Sequence, residues 1–434
     1  MSAYDLAVAE LFARQPDRMV PDLERITALA ELLGRPEQAF PSVHITGTNG
    51  KTSTTLMVSC LLTGLGLTAG GYTSPHLQDV RERIRVAGQP IGREEFVEGL
   101  AYLAPFLAEV DARHPDRVTF FEVLTALAFV YFADVPVDVG VFEVGMGGQW
   151  DATNLVDAEV AVLTRVGLDH PELGTTPEQV AGEKAGIVKD GTVVVSARQE
   201  PGVEAVIAGA AQRHAGRLVM AGRDFDVVRR APALGGQLLD LQGVTGRFKD
   251  VFLPLYGAHQ ADNAACALAA IEGFLGFAGG LDPDVIREAF ASVRSPGRLE
   301  LVQREEAAPV VLDGAHNPAG ARALAVTLLD EFMFRNRVVV LGVLGDKDID
   351  AIAAEVVRFA DHVVVTQPPS SRAAALDRLE KAVRDAGGSA EAAPDVTEAI
   401  RLASGVATVD DAVVVTGSLY TVGAARDALG IKVC

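Results

Sequence analysis

The chain has 434 residues, 49% of them hydrophobic, with 43 glycines and a formal net charge of -20 from 58 acidic and 38 basic side chains. That length exceeds what one hydrophobic core usually serves, so two domains are expected, and short apolar runs between helical patterns give an α/β composition. An acidic balance without any block of lysine or arginine argues against a nucleic-acid partner, and no stretch is both long enough and uncharged enough to span a bilayer.

Acids at Asp5, Glu10 and Asp17 do not suit a secretory leader. The cysteines, Cys60, Cys266 and Cys434, are too dispersed for a disulfide framework or a zinc pattern, so a cytoplasmic protein is expected.

In chain order, residues 4–12 and 23–33 read as helices. From Val43 onward strands and helices alternate. Segments 136–143, 159–164 and 191–195 are apolar and β-branched, as in strands buried within a parallel sheet. Helical candidates cover 93–104 and 120–132, which makes the first domain a doubly wound sheet. Residues 222–255 are less periodic and suggest a small antiparallel or mixed extension. After a helical 283–290, adjacent proline and glycine in Ser295-Pro296-Gly297-Arg298 mark the domain junction. Strand-like segments at 309–313, 337–343, 362–366 and 411–416 then form a second, smaller Rossmann-like sheet. The expected domains are residues 1–295 and 296–434.

The most informative segment is Gly47-Thr48-Asn49-Gly50-Lys51-Thr52-Ser53, set between the strand-like Ser42-Val43-His44-Ile45 and a helix-like run. It is shorter than the usual G-x-x-x-x-G-K-[ST] pattern, because Ile45 stands where that pattern has its first glycine. The physical requirements remain. Gly47 and Gly50 permit close turns, neighbouring N–H groups can face phosphate, and the following helix offers its positive end. Lys51 supplies a charge at the β/γ-phosphates and Thr52 a hydroxyl toward magnesium, so ATP is the expected nucleotide. The competing reading is an ordinary glycine turn into a helix.

Glu143 sits near the carboxyl end of an apolar strand, where open α/β sheets place ligands. Magnesium would be a reason for a desolvated carboxylate to stay ionised there, against a capping or surface acid as the alternative. His170 follows the next strand and turn, and Lys184 comes fourteen positions later. A histidine can ligate a metal but more often serves structure, and a lysine cation is a poor ligand.

Beyond these, Tyr72-Thr73-Ser74-Pro75-His76-Leu77 with Glu82-Arg83-Ile84, Asp151-Ala152-Thr153-Asn154, Glu183-Lys184-Ala185-Gly186, His259-Gln260-Ala261-Asp262-Asn263, Asp313-Gly314-Ala315-His316-Asn317-Pro318 and Thr416-Gly417-Ser418-Leu419-Tyr420 follow in order. With the phosphate loop, this series resembles the bacterial folylpolyglutamate synthases, including the bifunctional dihydrofolate synthase form, within the Mur-type ATP-dependent amide ligases. The resemblance implies an α/β fold, a P-loop ATPase-like parallel-sheet domain followed by a smaller C-terminal Rossmann-like domain. It also implies ligation of L-glutamate to a reduced folate or dihydropteroate through an acyl phosphate, in a monomer.

The same resemblance assigns Thr52, Ser74 and Glu143 to magnesium, and His170 with Lys184, carried as a carbamate, to a second one, with K+ as a candidate monovalent ion. Asn263 would contact adenine, Arg298 the phosphates and Asp313 the ribose. His316 and Ser418 would lie near phosphate and the incoming glutamate, while Lys51, His170, Lys184 and His316 form the implied catalytic set. On the folate side, Ser74, Pro75 and His76 join Thr119, Phe121 and Asp151, of which an aromatic face can stack on the pterin and a carboxylate can receive its N–H groups. Simple core packing is the alternative for Phe121.

The chain departs from the family pattern at several points. Thr52 stands where many folate members have glycine, and Gln149-Trp150 replaces an arginine and leucine. The segment His170-Pro171-Glu172-Leu173-Gly174 is one residue short, and Gly182 replaces a bulkier residue. Competing functions are a cell-wall Mur ligase with a UDP-linked substrate, a nucleotide-regulated interaction protein, and a kinase that needs no glutamate.

Overall fold

The computed structural model describes residues 2–16 and 20–433, so Asp17 and Cys434 lie outside the described residues. The first sheet is built from β1 (Ser42–Thr46), β2 (Ala69–Tyr72), β3 (Ile84–Val86), β4 (Gln89–Pro90), β5 (Val139–Glu143), β6 (Val160–Leu163), β7 (Val193–Ser196) and β8 (Arg217–Met220). Their order is β4-β3-β2-β5-β1-β6-β7-β8. Six strands are parallel, as expected of a doubly wound sheet, and β3 and β4 add an antiparallel edge.

Every residue of β1 and β5 is buried, as continuous apolar strands require when helices cover both faces. One face carries the Lys51–Gly64 helix packed on Ala258–Phe274 and Pro283–Ser292. The run of alanines in Ala258–Phe274 gives a thin helix that lies close to the sheet. The other face is aromatic, with Tyr72, Phe96, Phe129, Phe132 and Phe142 in one cluster.

β2 was not expected, because Ala-Gly-Gly-Tyr has little strand propensity. Its glycines serve packing: a Cβ on Gly70 would lie 2.9 Å from the Phe132 ring. Residues 222–255 form the antiparallel extension, β9 (Asp226–Ala233), β10 (Gly236–Gln242) and β11 (Arg247–Leu253). The third sheet joins β12 (Glu300–Val302), β13 (Val310–Leu312), β14 (Arg337–Leu341), β15 (His362–Val365), β16 (Ala390–Ala392) and β17 (Ala412–Thr416) in the order β12-β13-β17-β14-β15-β16. All of its pairings are parallel except that of β12 with β13. Between the sheets the chain turns through Gly297 and Leu299, both at positive φ, 67° and 50°. No helix among the described residues is long and apolar enough to cross a membrane.

Candidate active site

The carboxyl ends of β1, β5 and β6 converge on the phosphate loop. A Cβ on Gly47 would overlap the Thr164 side chain at the end of β6, and one on Gly50 would overlap the Asn263 amide, so glycine is needed for both approaches. The first helical bond runs from Thr54 N–H to the Gly50 carbonyl at 2.9 Å. This leaves the N–H groups of Lys51, Thr52 and Ser53 open at a positive helix end. The N–H groups of Thr48 and Asn49 instead donate to the Arg165 carbonyl at 2.9 and 3.4 Å. That corrects the expectation that they face phosphate: they tie the loop to the neighbouring strand's turn. Lys51 Nζ folds back onto the Gly47 carbonyl at 3.0 Å.

Glu143, 1% exposed, accepts from the Thr52 hydroxyl at 2.9 Å and from the Ser74 N–H at 3.2 Å. Burial pushes its carboxyl up, opposed by the Lys51 charge and these hydrogen bonds. Next to it lies a chamber of about 20 Å³, lined by Gly47, Lys51, Gly145, Asp169, His170 and Lys184 among others. Lys184 donates to the Gly47 carbonyl at 2.8 Å, and burial, aided by the Lys51 charge, lowers its pKa to about 7. Burial lowers that of His170 to about 4, and its Nε2 stands 3.4 Å from Asp169.

These donors decide which metals fit. Among the described residues there is no cluster of three or more His, Cys, Asp or Glu side chains suited to a metal. Magnesium needs none, because it commonly uses one or two carboxylates together with water and phosphate oxygens. Glu143 could supply such a carboxylate, with the Thr52 hydroxyl hydrogen-bonded to it and Ser74 alongside. The chamber of His170 repels a cation while Lys184 is an ammonium and attracts one if Lys184 is a carbamate.

A cleft of about 710 Å³ runs from the chamber along the aromatic face, lined by Ser74, Pro75, Arg83, Thr119, Phe121, Met146, Trp150 and Asp151 among others. His76 is not in its wall. It accepts from Arg83 Nε at 2.9 Å and packs edge-on against Phe12, between the cleft residues Pro75 and Arg83 and the N-terminal helix. Thr119 lines the cleft and also caps the Phe120–Asp134 helix, its hydroxyl accepting from the Glu122 N–H at 3.3 Å. Phe121 is half-buried in the wall, with its ring against Tyr72 of the aromatic cluster.

Asp151 is held from behind. It accepts from the Met146 N–H at 2.9 Å, the Thr153 N–H at 3.0 Å and the Thr153 hydroxyl at 2.6 Å. Since that hydroxyl donates to Asp151, its oxygen accepts from His44 Nε2 at 2.8 Å, which fixes the imidazole's proton on Nε2. His44 is fully buried, and desolvation followed by the Lys189 charge lowers its pKa to about 3. The unfolded chain therefore binds a proton below about pH 6.5 that the folded chain refuses. Stability is expected to fall as pH drops from about 6.5 toward 3, by up to ~1.4 kcal/mol per pH unit from this group. Urea unfolding of wild type and His44→Gln across pH 7 to 5 checks this, the variant showing the shallower dependence.

From the C-terminal side, Arg298 packs on Gly314, its backbone N–H donates to the Ser295 carbonyl at 3.2 Å, and its guanidinium makes no hydrogen bond to another described residue. Asp313 accepts from the N–H groups of Leu299 and Ala315, both at 2.9 Å, so its carboxylate also shapes the junction. Ser418, 2% exposed, caps the Leu419–Ala428 helix through the N–H groups of Tyr420 and Thr421 at 3.0 and 3.3 Å. Asn263 donates to Gln260 at 3.1 Å, Gln260 to the Ser53 hydroxyl at 3.2 Å, and Ser53 meets Ser295 of the junction at 3.2 Å.

Sequence reasoning missed Asp169, which receives Lys347 Nζ at 2.8 Å and has His316 Nε2 at 3.7 Å, both from the other domain. It also missed Gln260 as a link between nucleotide loop and junction. Asp169 could have been sought as an acid in the turn directly after a buried strand. Lys347 carried no comparable signal.

A phosphate-loop domain with a chamber and a cleft at its sheet's carboxyl ends, joined to a Rossmann-like domain whose Lys347 and His316 reach Asp169 of that chamber, defines a Mur-type ligase. The family model for the Mur ligase middle domain matches residues 45–271, and that for the Mur ligase glutamate ligase domain matches 297–419. The chain belongs to the dihydrofolate synthase/folylpolyglutamate synthase family within this group. It is 46% identical to the dihydrofolate synthase/folylpolyglutamate synthase of Mycobacterium tuberculosis, over 95% of this chain and 91% of that protein. The structure of Mycobacterium tuberculosis folylpolyglutamate synthase complexed with ADP superposes with a TM-score of 0.94 at 44% identity, covering 99% of this chain and 98% of that one. E. coli FolC in complex with DHPP and ADP gives 0.87 at 29% identity, with 99% and 98% covered.

Proposed function

We propose that the chain is an ATP-dependent ligase that joins L-glutamate to reduced folates and to dihydropteroate through an acyl phosphate. One observation carries this reading: the small chamber beside the phosphate loop and the large cleft share Gly145 and Met146 in their walls. A carboxylate entering along the cleft therefore reaches the phosphate loop. ATP as the nucleotide is supported by the open helix end and by the ADP and AMPPCP complexes of a relative 44% identical.

The acceptor carboxylate attacks the γ-phosphorus and ADP leaves, giving a mixed anhydride. The amine of glutamate then attacks the activated carbonyl, and phosphate leaves as the amide forms. Lys51 and the open N–H groups stabilise charge on the transferring phosphoryl oxygens, and Arg298 adds a cation from the far side. Asn263 and Asp313 border the rest of the nucleotide, and His316 and Ser418 belong to the glutamate side. Thr52, Ser74 and Glu143 would hold one magnesium, and His170 with a carbamylated Lys184 a second; bound magnesium neutralises phosphate charge. K+ belongs to the same reading as a monovalent activator. Residues 1–295 then act as the nucleotide and folate domain and 296–434 as the glutamate domain, with closure excluding water from the anhydride.

The test is a panel of acceptors read by mass spectrometry. Glutamate-dependent amide formation on folates is expected, with oxygen-18 moving from the acceptor carboxylate into phosphate. Turnover with a UDP-muramoyl precursor and none with folates would reverse the assignment. The carbamate is tested separately by Lys184→Arg, which keeps a cation but cannot take up carbon dioxide. Turnover is expected to fall by about two orders of magnitude or more, on the scale of losing one electrostatic group at a reacting phosphate. Activity near wild type would mean that Lys184 works as an ammonium.

A further inference from the structure

Trp150 is the single tryptophan of the chain. It lines the cleft together with Phe121 and Asp151, and it stands where the family pattern often has leucine. One part of the side chain packs on the apolar cluster that includes Leu173 and Val180, while the remainder stays half-buried at the cleft. Its indole N–H donates to no described residue. A flat apolar face and a free donor at a half-open wall suit a planar heteroaromatic ligand that carries acceptor atoms at its edge.

The backbone that presents this side chain is fixed on several sides. The Gln149 N–H donates to the Glu183 carbonyl at 3.1 Å and to its carboxylate at 3.0 Å, and the Gln149 carbonyl accepts from Asn154 Nδ2 at 3.0 Å. A Cβ on Gly148 would come within 2.6 Å of the Lys184 carbonyl, so the two segments are in backbone contact. The same short stretch therefore forms the wall of the cleft and braces the lysine of the phosphate chamber. A ring seated on Trp150 is held in fixed register with the reacting carboxylate, which is what orientation requires of a binding residue.

We propose that Trp150 is a specificity-determining residue of the acceptor cleft, its indole packing on the pterin ring system and its N–H donating to an acceptor atom of that ring. This rests on the ligase reading above and deepens it, since leucine at the same position offers neither the face nor the donor.

The experiment compares wild type, Trp150→Leu and Trp150→Phe in steady-state turnover of a reduced folate with ATP and L-glutamate. An aromatic contact of this kind predicts a rise in the folate KM of between about twofold and about tenfold in Trp150→Leu, with the KM for ATP unchanged. Trp150→Phe, which keeps a ring but loses the donor, should fall between, and wild-type tryptophan emission should change when folate is added without ATP. An unchanged folate KM in Trp150→Leu, with wild type active, overturns the proposal and leaves the ligase reading standing. An equal rise in both KM values also overturns it, because that marks a general structural effect. Wild type inert toward every folate acceptor overturns both.

Discussion

Lys51→Ala is expected to lower kcat by about two to three orders of magnitude, the scale on which one preorganised charge contributes to a transition state. The structure explains why the loss should be chemical. Among the described residues Lys51 Nζ hydrogen-bonds only to the Gly47 and Thr48 carbonyls, at 3.0 and 3.5 Å, and no carboxylate among them depends on it as a hydrogen-bond partner. The loop is held by the glycine contacts and by the Thr48 and Asn49 N–H groups, which the substitution leaves alone. An unfolding midpoint close to wild type should therefore accompany the lost turnover. Preserved turnover would remove Lys51 from the phosphate site.

Arg426→Ala is expected to destabilise the protein by about 3 kcal/mol, the low end for breaking a buried charge network, because the partner Glu300 is partly exposed. Arg426 is 1% exposed and donates to Gln78 at 2.8 Å, to the Lys432 carbonyl at 3.1 Å and to Glu300. Gln78 in turn donates to Asp427 at 2.7 Å and to the Ile431 carbonyl at 2.9 Å. Next to it, Leu77 packs into the C-terminal apolar cluster, and a Cβ on Gly423 would overlap the Leu77 carbonyl. The loop that begins at Ser74 is thus fastened to the last helix of the other domain. Denaturant unfolding followed by two probes should show a lower midpoint and separation of the domain transitions. A transition coincident with wild type would show that the network does not couple them.

Much of the site was legible because its parts are local. Glycines, lysine and hydroxyl within seven residues announce a phosphate loop wherever they follow a strand. The apolar run ending at Glu143 likewise places an acid at a sheet's ligand-binding end. The mixed edge of the first sheet was not legible, because Ala69–Tyr72 forms a strand through the close approach of Gly70 to Phe132 and not through propensity. The surroundings of His76 were not legible, because a histidine beside a substrate-like segment gives no sign that Arg83 will occupy its nitrogen. The roles of Asp313 and Ser418 were incomplete for a related reason: motif matching sees the side chain but not the backbone N–H groups that it satisfies.

The sequence by itself determined the alternation of strands and helices, the phosphate loop and the ordered motifs of the family, since these depend on neighbours a few positions apart. Only the tertiary structure decided that Asp169 meets Lys347, that His44 supports Asp151 through Thr153, and that Arg426 grips Gln78. Those partners stand roughly one hundred to three hundred and fifty positions apart, and a charge or hydroxyl in a sequence does not name its partner. Strand pairing within the first sheet brings together the set around His44, docking of the two domains brings together the other two, and burial makes each pairing matter, because an unpartnered polar group inside the protein is costly.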